Sequence, residues 1–484
     1  MTEAPRTAGP RTVAPSTSGS SVAHEQAVAA ARARLAALPP DAPVRLKKRT
    51  SNLFRFRDGR GGLEVDGLDR VLHVDPEART ADVGGMTTYE DLVAATLPHG
   101  LMPLVVPQLK TITLGGAVVG LGIESTSFRD GLPHESVLSA DVLTGAGEIV
   151  TAAPDNDAAD LWAALANSYG TLGYAVALRI ELAPVLPFVR LRHVRFDDAA
   201  SLAKAVDVIA VEHSYDGEAV DFVDGTVFGP AETTSGRPEQ YLTLGRMVSE
   251  APALSDYTGQ GVYYRSIARL ADAGEGGAGV DHLSIHDYLW RWDTDWFWCS
   301  RALGVQHPAV RRLWPGRWRR SDVYRRLVAL DRRFGVSERL ATRSSDVAGV
   351  EPIIQDVEVP VERLAEFLDF FHAEIGISPV WVCPLRLRGE RTWPLYPLEP
   401  GRTYVNVGFW SDALLAPGMA RDHHNRLIER KLMELEGHKS LYSTSSYTRE
   451  EFDALYGGAA YARLKERYDP AGRLPDLYSK CVTG

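Results

Sequence analysis

The residues best suited to chemistry are the glycines of TLGGAVVGLGIESTS, Thr113 to Ser127. Gly115, Gly116, Gly120 and Gly122 recur there; without a Cβ, glycine lets backbone amides close on a ligand and tolerates positive φ. A diphosphate suits such a loop. DVLTGAGEIVTA then reads as a strand ending in the Gly145–Gly147 turn, and DNDAADLWAALAN as an acidic helix. A second glycine turn, Gly170, Thr171 and Gly173, feeds another strand. Gly274, Gly276 and Gly279 also match GxGxxG, but no strand precedes them, so they read as a flexible loop and no Rossmann domain is expected.

The order of these segments resembles the FAD-binding domain of the vanillyl-alcohol oxidase / p-cresol methylhydroxylase (PCMH) type, where the flavin lies between two small α+β subdomains. That resemblance implies an α+β chain: a PCMH-type FAD domain of two α+β subdomains, then an α+β substrate domain with antiparallel sheet. It implies FAD contacts from Arg49, Thr50, Ser51 and Asn52, beside Lys48. Further contacts are implied for Thr113, Gly115, Gly116, Gly120, Gly122, Ile123, Glu124, Ser125 and Ser127, and for Gly170, Thr171 and Gly173. Some members carry a Gly-Gly-His that bonds the flavin covalently; this chain has no such histidine at the first loop, so FAD is expected to be non-covalent.

The elements that must position these residues follow from composition and periodicity. The chain has 484 residues, 45% of them hydrophobic, which suits two domains each with its own core. A net charge of −10 argues against general nucleic-acid binding. Cys299, Cys383 and Cys481 are odd in number and far apart, which disfavours a disulfide framework or a zinc site and fits a reducing cytoplasm. Residues 1–22, rich in Pro, Ser, Thr and Ala, read as a disordered tail; His24 to Leu38 reads as a helix stopped by Pro39-Pro40. The FAD domain is assigned to 23–185, the substrate domain to 186–445, and 446–484 to a segment returning to the flavin side. No run of apolar residues is long enough to span a bilayer, so membrane contact would be peripheral.

HDYLWRWDTDWFW, IIQDVEVPVERL, SPVWVCPLRLR and the C-terminal YTREEFDALYGGAAYARLKERYDPAGRLPDLYSK are similar to segments of the sterol Δ24-reductase (seladin/Diminuto) family. The resemblance implies an FAD enzyme, fed by NADPH, that saturates an isolated C=C bond in a lipid. The Ala-, Arg-, Gly- and Pro-heavy composition suggests a GC-rich bacterial genome, where sterol synthesis is uncommon. The expected reaction is therefore that of the related bacterial reductases, which turn 10-methylene acyl chains of phospholipids into 10-methyl chains after a SAM-dependent methyltransferase has added the methylene. Sterol Δ24 reduction, an oxidase of the sugar-lactone or decaprenyl-phosphoryl-ribose type, and a non-catalytic membrane or scaffold role are the alternatives.

An isolated alkene has no carbonyl to absorb negative charge, so protonation must lead or accompany hydride transfer. Positive charge then develops at a tertiary carbon, which calls for a proton donor, an aromatic wall and little water, but no metal. Tyr447, His286, Glu124 and Cys383 are the candidate donors, with Tyr442 as a further one. Each has a structural reading too: Cys383 as a small core residue, Tyr447 as a staple at a helix start. His423-His424 reads as solvated helix surface. Six of the ten Trp lie between Trp290 and Trp318, and Arg301 to Arg343 holds twelve Arg against three acidic residues. Within this segment, 286–343, Trp314, Arg317, Trp318, Arg319 and Arg320 are the expected contacts with an anionic phospholipid surface. The expected location is the cytoplasm, at the inner face of the membrane.

Overall fold

In a computed structural model, residues 17–39, 42, 44–48, 54, 62–259, 261–274, 278–334 and 348–482 are described. Arg49, Thr50, Ser51 and Asn52 lie outside them, as do Gly276, most of the expected tail and the end of the Arg-rich segment.

Two antiparallel sheets organise the chain. The first joins β1 (Val71–Asp75), β2 (Thr80–Gly84), β3 (Leu101–Pro103), β4 (Val137–Thr144), β5 (Ile149–Ala152) and β6 (Gly173–Pro184). Its order is β1-β2-β6-β4-β5, with β3 paired to the far end of β6. β6 is the spine because its burial is nearly continuous, which lets it pair with β2 on one side and β4 on the other. A helix, α1 (Thr17–Ala37), packs through Ala31 and Leu35 on a small core with Val44, Leu63, Leu68 and Leu474. The expected tail thus gives way to helix at Thr17 and not at His24. Serines cost a helix only about half a kcal/mol each, and Ser21 Oγ donates to Glu25 Oε1 one turn on.

The second sheet has β7 (Phe188–Phe196), β8 (Phe222–Phe228), β9 (Glu239–Val248), β10 (Ala278–Ser284), β11 (Gly349–Pro360), β12 (Val380–Leu385), β13 (Tyr404–Leu415) and β14 (His438–Lys439). They run in the order β10-β7-β9-β8-β12-β13-β11-β14. Gly279, read as part of a loop, lies in β10 opposite His193 of β7. Edge pairing overrides the low strand propensity of glycine there.

Strand alternation gives this sheet two unlike faces. Val223, Val357, Val359, Val382, Val405, Val407 and Phe409 point into a core closed by the helices Ala199–Glu212, Leu364–Phe370 and His423–Glu434. The first of these helices starts at Asp198, whose side chain accepts from Ser201 N at 2.7 Å. Its buried Leu202, Val206 and Ile209 recur at helical spacing. In the last helix His424 is buried, not solvated: its Nδ1 lies 2.7 Å from Glu351 Oε2 of β11. The opposite face carries Asp224, Asp356, Glu358, Trp381, Cys383, Asn406, Gly408 and Trp410, and looks towards the first domain.

The stretch Trp290–Trp298 fills the space between that face and the first domain. Trp290, Trp292, Trp296 and Trp298 are all buried, so the Trp-rich signal is mostly interior. Asp224 Oδ2 on β8 accepts from Arg291 Nη2 at 2.6 Å, Trp292 Nε1 at 2.8 Å and Trp381 Nε1 at 3.2 Å. Arg291 also stacks over Tyr288, 3.9 Å from the ring centroid. Asp224→Ala would leave a buried guanidinium and two indole N–H groups without their acceptor. We expect a loss of about 3–5 kcal/mol, measured by denaturant unfolding of the holoprotein; a loss under about 1 kcal/mol would mean that the pair does not anchor the segment.

Candidate flavin and substrate cavity

A cavity of about 840 Å³ runs between the two sheets. One wall belongs to the first domain. Thr113 caps the short helix α2 (Leu114–Gly120), whose N-terminus faces the cavity with Lys48 Nζ 3.5 Å from Thr113 Oγ1. The glycine segment is therefore partly helix and not all loop. Its leading amides are already committed: Leu114 N to Thr87 O and Gly115 N to Gly85 O, both at 2.9 Å, and Gly116 N to Thr113 Oγ1 at 3.3 Å.

The glycines act chiefly by what they lack. A Cβ on Gly115 would strike the backbone of Gly85, so this glycine brings α2 hard against the turn after β2. A Cβ on Gly116 would stand 2.8 Å from Thr113 Oγ1 and 3.6 Å from Lys48 Nζ, inside the cavity. From Gly120, the last residue of α2, the wall continues through Gly122, Ile123 and Glu124, and Gly170 and Gly173 complete it beside Tyr169 and Tyr174. Ser125, Ser127 and Thr171 do not line the cavity. Ser125 Oγ accepts from Tyr288 OH, Ser127 Oγ accepts from Glu124 N, and Thr171 Oγ1 donates to Ser168 O. They brace the wall from behind.

Cationic and polar groups cluster on this side. Arg45, Lys47 and Lys48 arrive from the N-terminal stretch, Asp476, Ser479 and Lys480 from the C-terminal one. Lys480 Nζ donates to Tyr169 O at 2.5 Å and Lys465 Nζ to Thr171 O at 2.8 Å, so the C-terminal segment is fastened to the second glycine turn. Phe54 N donates to Tyr442 O at 2.9 Å, a second tie of the same kind. Lys480, Ser479 and Tyr174 were not singled out from sequence; a cation three residues into the C-terminal helix Leu477–Cys481 carries no local signal of a cavity.

The facing wall is aromatic. Phe54, Trp296, Phe297, Trp381, Trp410 and Tyr442 line it. Phe297 stacks on Trp410 with centroids 4.3 Å apart, and Phe54 on Trp296 at 5.8 Å. Two carboxyl groups face the cavity, Glu124 from the glycine wall and Asp356 from this one. Glu124 Oε1 accepts from Gln108 N at 2.9 Å, while desolvation pushes its pKa up to about 8. Asp356, on β11 beside Tyr442, is raised to about 7 for the same reason.

Of the expected donors, Glu124 and Tyr442 reach the cavity; Tyr447, His286 and Cys383 do not. Tyr447 is buried against Tyr456, just ahead of the Thr448 cap and its Glu451 capping box. His286 is exposed on a short helix, with Nδ1 3.4 Å from Asp287 Oδ1. Cys383 points its thiol at Val223 O, 3.8 Å away in the sheet. The lipid-facing expectation also changes. Arg319 is buried and donates to the carbonyls of Gly259, Arg311 and Trp314. Arg320 grips Glu90 through two bonds of 2.9 and 2.7 Å. Both turn inward because buried carbonyls and a carboxylate need donors. Trp318, 47% exposed, and Arg317 remain at the surface, with Trp314 half-buried between them and the core.

An extended, cation-bearing cradle that a single Cβ would obstruct fits FAD, with Thr113, Gly116, Lys48 and Lys480 at its polar side. Among the described residues no cluster could hold a metal ion, and no helix is long and apolar enough to cross a membrane. Residues 21–153 match the family described as an FAD binding domain. The α+β fold is of the PCMH type, and the class it defines is an FAD-dependent oxidoreductase.

Similarity to particular proteins extends well past that domain. The chain is 26% identical to Delta(24)-sterol reductase of Arabidopsis thaliana over 87% of its own length and 76% of the relative's. It is 25% identical to Delta(24)-sterol reductase of Homo sapiens over 86% of its length and 75% of the relative's. Cytokinin dehydrogenase 2 of Oryza sativa subsp. japonica is 35% identical, over 37% of this chain and 33% of that one.

If the Gly116 gap holds the flavin, Gly116→Val yields folded, colourless protein. Far-UV circular dichroism together with the flavin absorbance checks this, and a variant that keeps full FAD would remove the assignment.

Proposed function

We propose that this protein reduces an isolated C=C bond in a lipid, using FAD with NADPH as the electron donor. One observation carries the reading: a cationic flavin cradle, with Glu124 raised by desolvation on its own wall, opens directly onto a wall of Trp, Phe and Tyr that holds Asp356, a carboxyl raised towards neutrality. Such a wall excludes water, accommodates a hydrocarbon and stabilises transient positive charge through ring faces. The bound flavin would supply the hydride; the chain's residues hold the alkene against it and provide the proton.

For the substrate, the relatives favour a sterol Δ24 double bond, since the sterol reductases align through both domains. A second reading, reduction of 10-methylene acyl chains on phospholipid after the methyltransferase step, draws on a different observation. Leu313 is 85% exposed and Trp318 47%, next to exposed Arg312 and Arg317. This patch sits over a small core in which Trp314 and Tyr324 meet Trp296 and Phe54, and the last two line the cavity. A peripheral contact of this patch with an anionic leaflet on the cytoplasmic side would bring the aromatic wall close to lipid.

Two measurements separate these readings. With the flavin reduced under anaerobic conditions, we expect reoxidation by a Δ24 sterol or by a 10-methylene phospholipid in a stopped-flow cell; whichever acts alone identifies the substrate. Reoxidation by neither, with rapid reaction on admitting oxygen, would make the protein an oxidase. For the surface, Leu313→Ser with Trp318→Ser, and separately Arg312→Glu with Arg317→Glu, should each reduce sedimentation with anionic vesicles several-fold while leaving the flavin spectrum intact. Unchanged sedimentation would remove membrane contact at this patch.

A further inference from the structure

We propose that Asp356 is the acid that protonates the alkene, and that it acts through the hydroxyl of Tyr442. The assignment rests on the reductase reading above and names the proton source that it requires.

The geometry begins with a row across three neighbouring strands. Trp381 of β12 and Asp356 of β11 both pair with Gly408 of β13. All three residues share the cavity face, and the middle one has no side chain. A Cβ on Gly408 would collide with Asp356 Oδ1 and with the Trp410 ring. The missing side chain lets the Asp356 carboxyl and the Trp410 ring close over Gly408, which sets the acid among the indoles of Trp381 and Trp410.

The hydrogen bonds around this carboxyl have a direction. Trp410 Nε1 donates to Tyr442 OH at 2.9 Å, occupying one lone pair of the phenol oxygen. An indole N–H can only donate, so the phenol keeps its own proton to give and one lone pair to receive. Asp356 stands beside the same hydroxyl, near enough for each group to shift the other's hold on its proton, and its Oδ1 accepts from Asn406 Nδ2 at 3.2 Å. Both Asp356 and Tyr442 are part-exposed and line the cavity.

The other acid, Glu124, lies on the glycine wall with one oxygen committed to Gln108 N. Asp356 is the carboxyl set among the rings that would surround a developing cation. Glu358, two residues along β11 on the same face, does not line the cavity and accepts from Ser440 Oγ at 2.9 Å.

The step balances as follows. The C=C π pair takes the Tyr442 proton and forms a C–H bond at the less substituted carbon. Tyr442 oxygen recovers a proton from the Asp356 carboxyl, which is left as carboxylate and is later reprotonated from water. The tertiary carbon receives a hydride from reduced FAD, the two-electron donor.

Only protonated Asp356 can deliver, so the rate falls as pH rises through its elevated pKa. The charged and titratable groups around it leave this sign unchanged. Tyr442, Glu358 and Cys383 are each raised by burial and stay neutral, and Glu124 across the cavity is raised as well.

The test uses holoenzyme reduced by dithionite, which makes it independent of the natural electron donor. Asp356→Asn and Tyr442→Phe should each retain FAD yet slow reoxidation by the accepted alkene at least ~100-fold. Asp356→Glu should recover part of the rate together with its fall at high pH, which a packing role would not produce. Without any substrate, the infrared difference spectrum of wild type minus Asp356→Asn should show a protonated carboxyl band at about pH 6 that is gone by about pH 8. Wild-type reoxidation rates in Asp356→Asn, or absence of that band, would overturn the assignment and leave the reductase reading standing. Wild-type flavin that no alkene reoxidises would overturn both.

Discussion

The buried pair between Asp224 and Arg291 is the contact on which the cavity depends. The two charges meet deep inside the protein, where one carboxylate oxygen takes three donors and the guanidinium lies over a tyrosine ring. Such a pair offers little net stability over a hydrophobic replacement, but breaking it is costly. What it secures is position. Trp381 belongs to the sheet and Trp292 to the segment that crosses it, so one carboxylate fixes the register of both. Trp296 and Phe297, next along the chain, are thereby held as part of the cavity wall.

The same sheet explains why the chemistry lies where it does. Period-two alternation gives its strands one valine-rich face for the helices and one face of Trp, Asp, Asn and Gly for the cavity. An aromatic and acidic face would be a poor core on its own. It becomes a cavity because the FAD domain stands opposite, and because the C-terminal segment ties the two together through Lys465, Lys480 and the Tyr442–Phe54 contact. The chain's ends therefore complete the site although most of the fold lies between them.

Sequence pattern was informative where the signal is local. The glycine segments and the order of strands and helices can be read from spacing, the α+β architecture follows from the resemblance they carry, and Gly116, Gly120, Gly122 and Glu124 do line the cavity. It was less informative where long-range packing decides. Four clustered tryptophans look like an interfacial belt but lie inside, where Asp224 accepts from Trp292 and the Trp410 carbonyl from Trp298. Arg319 and Arg320 look like surface cations but satisfy carbonyls and Glu90. Tyr447, His286 and Cys383 share segments with cavity residues, yet Tyr447 packs on Tyr456, His286 faces solvent and Cys383 turns its thiol to Val223 O. Asp356 carries no local signal either: IIQDVEV shows an acid in a strand, and only the pairing with Gly408 shows the indoles around it.

The two carboxyl groups on the cavity wall then acquire different meanings. Desolvation raises both, so elevated affinity for protons does not by itself choose between them. Their surroundings do. Glu124 is held by a backbone amide on the wall that bends around the cofactor cradle, where a neutral carboxyl can hydrogen-bond a polar ring edge. Asp356 stands beside a hydroxyl that accepts from an indole, over a glycine whose missing side chain lets it sit among aromatic rings. A proton held there can reach a hydrocarbon without crossing water, and the cation that it creates is faced by rings. The same desolvation therefore suits one acid to orientation and the other to reaction, and the difference comes from which sheet each strand or loop belongs to.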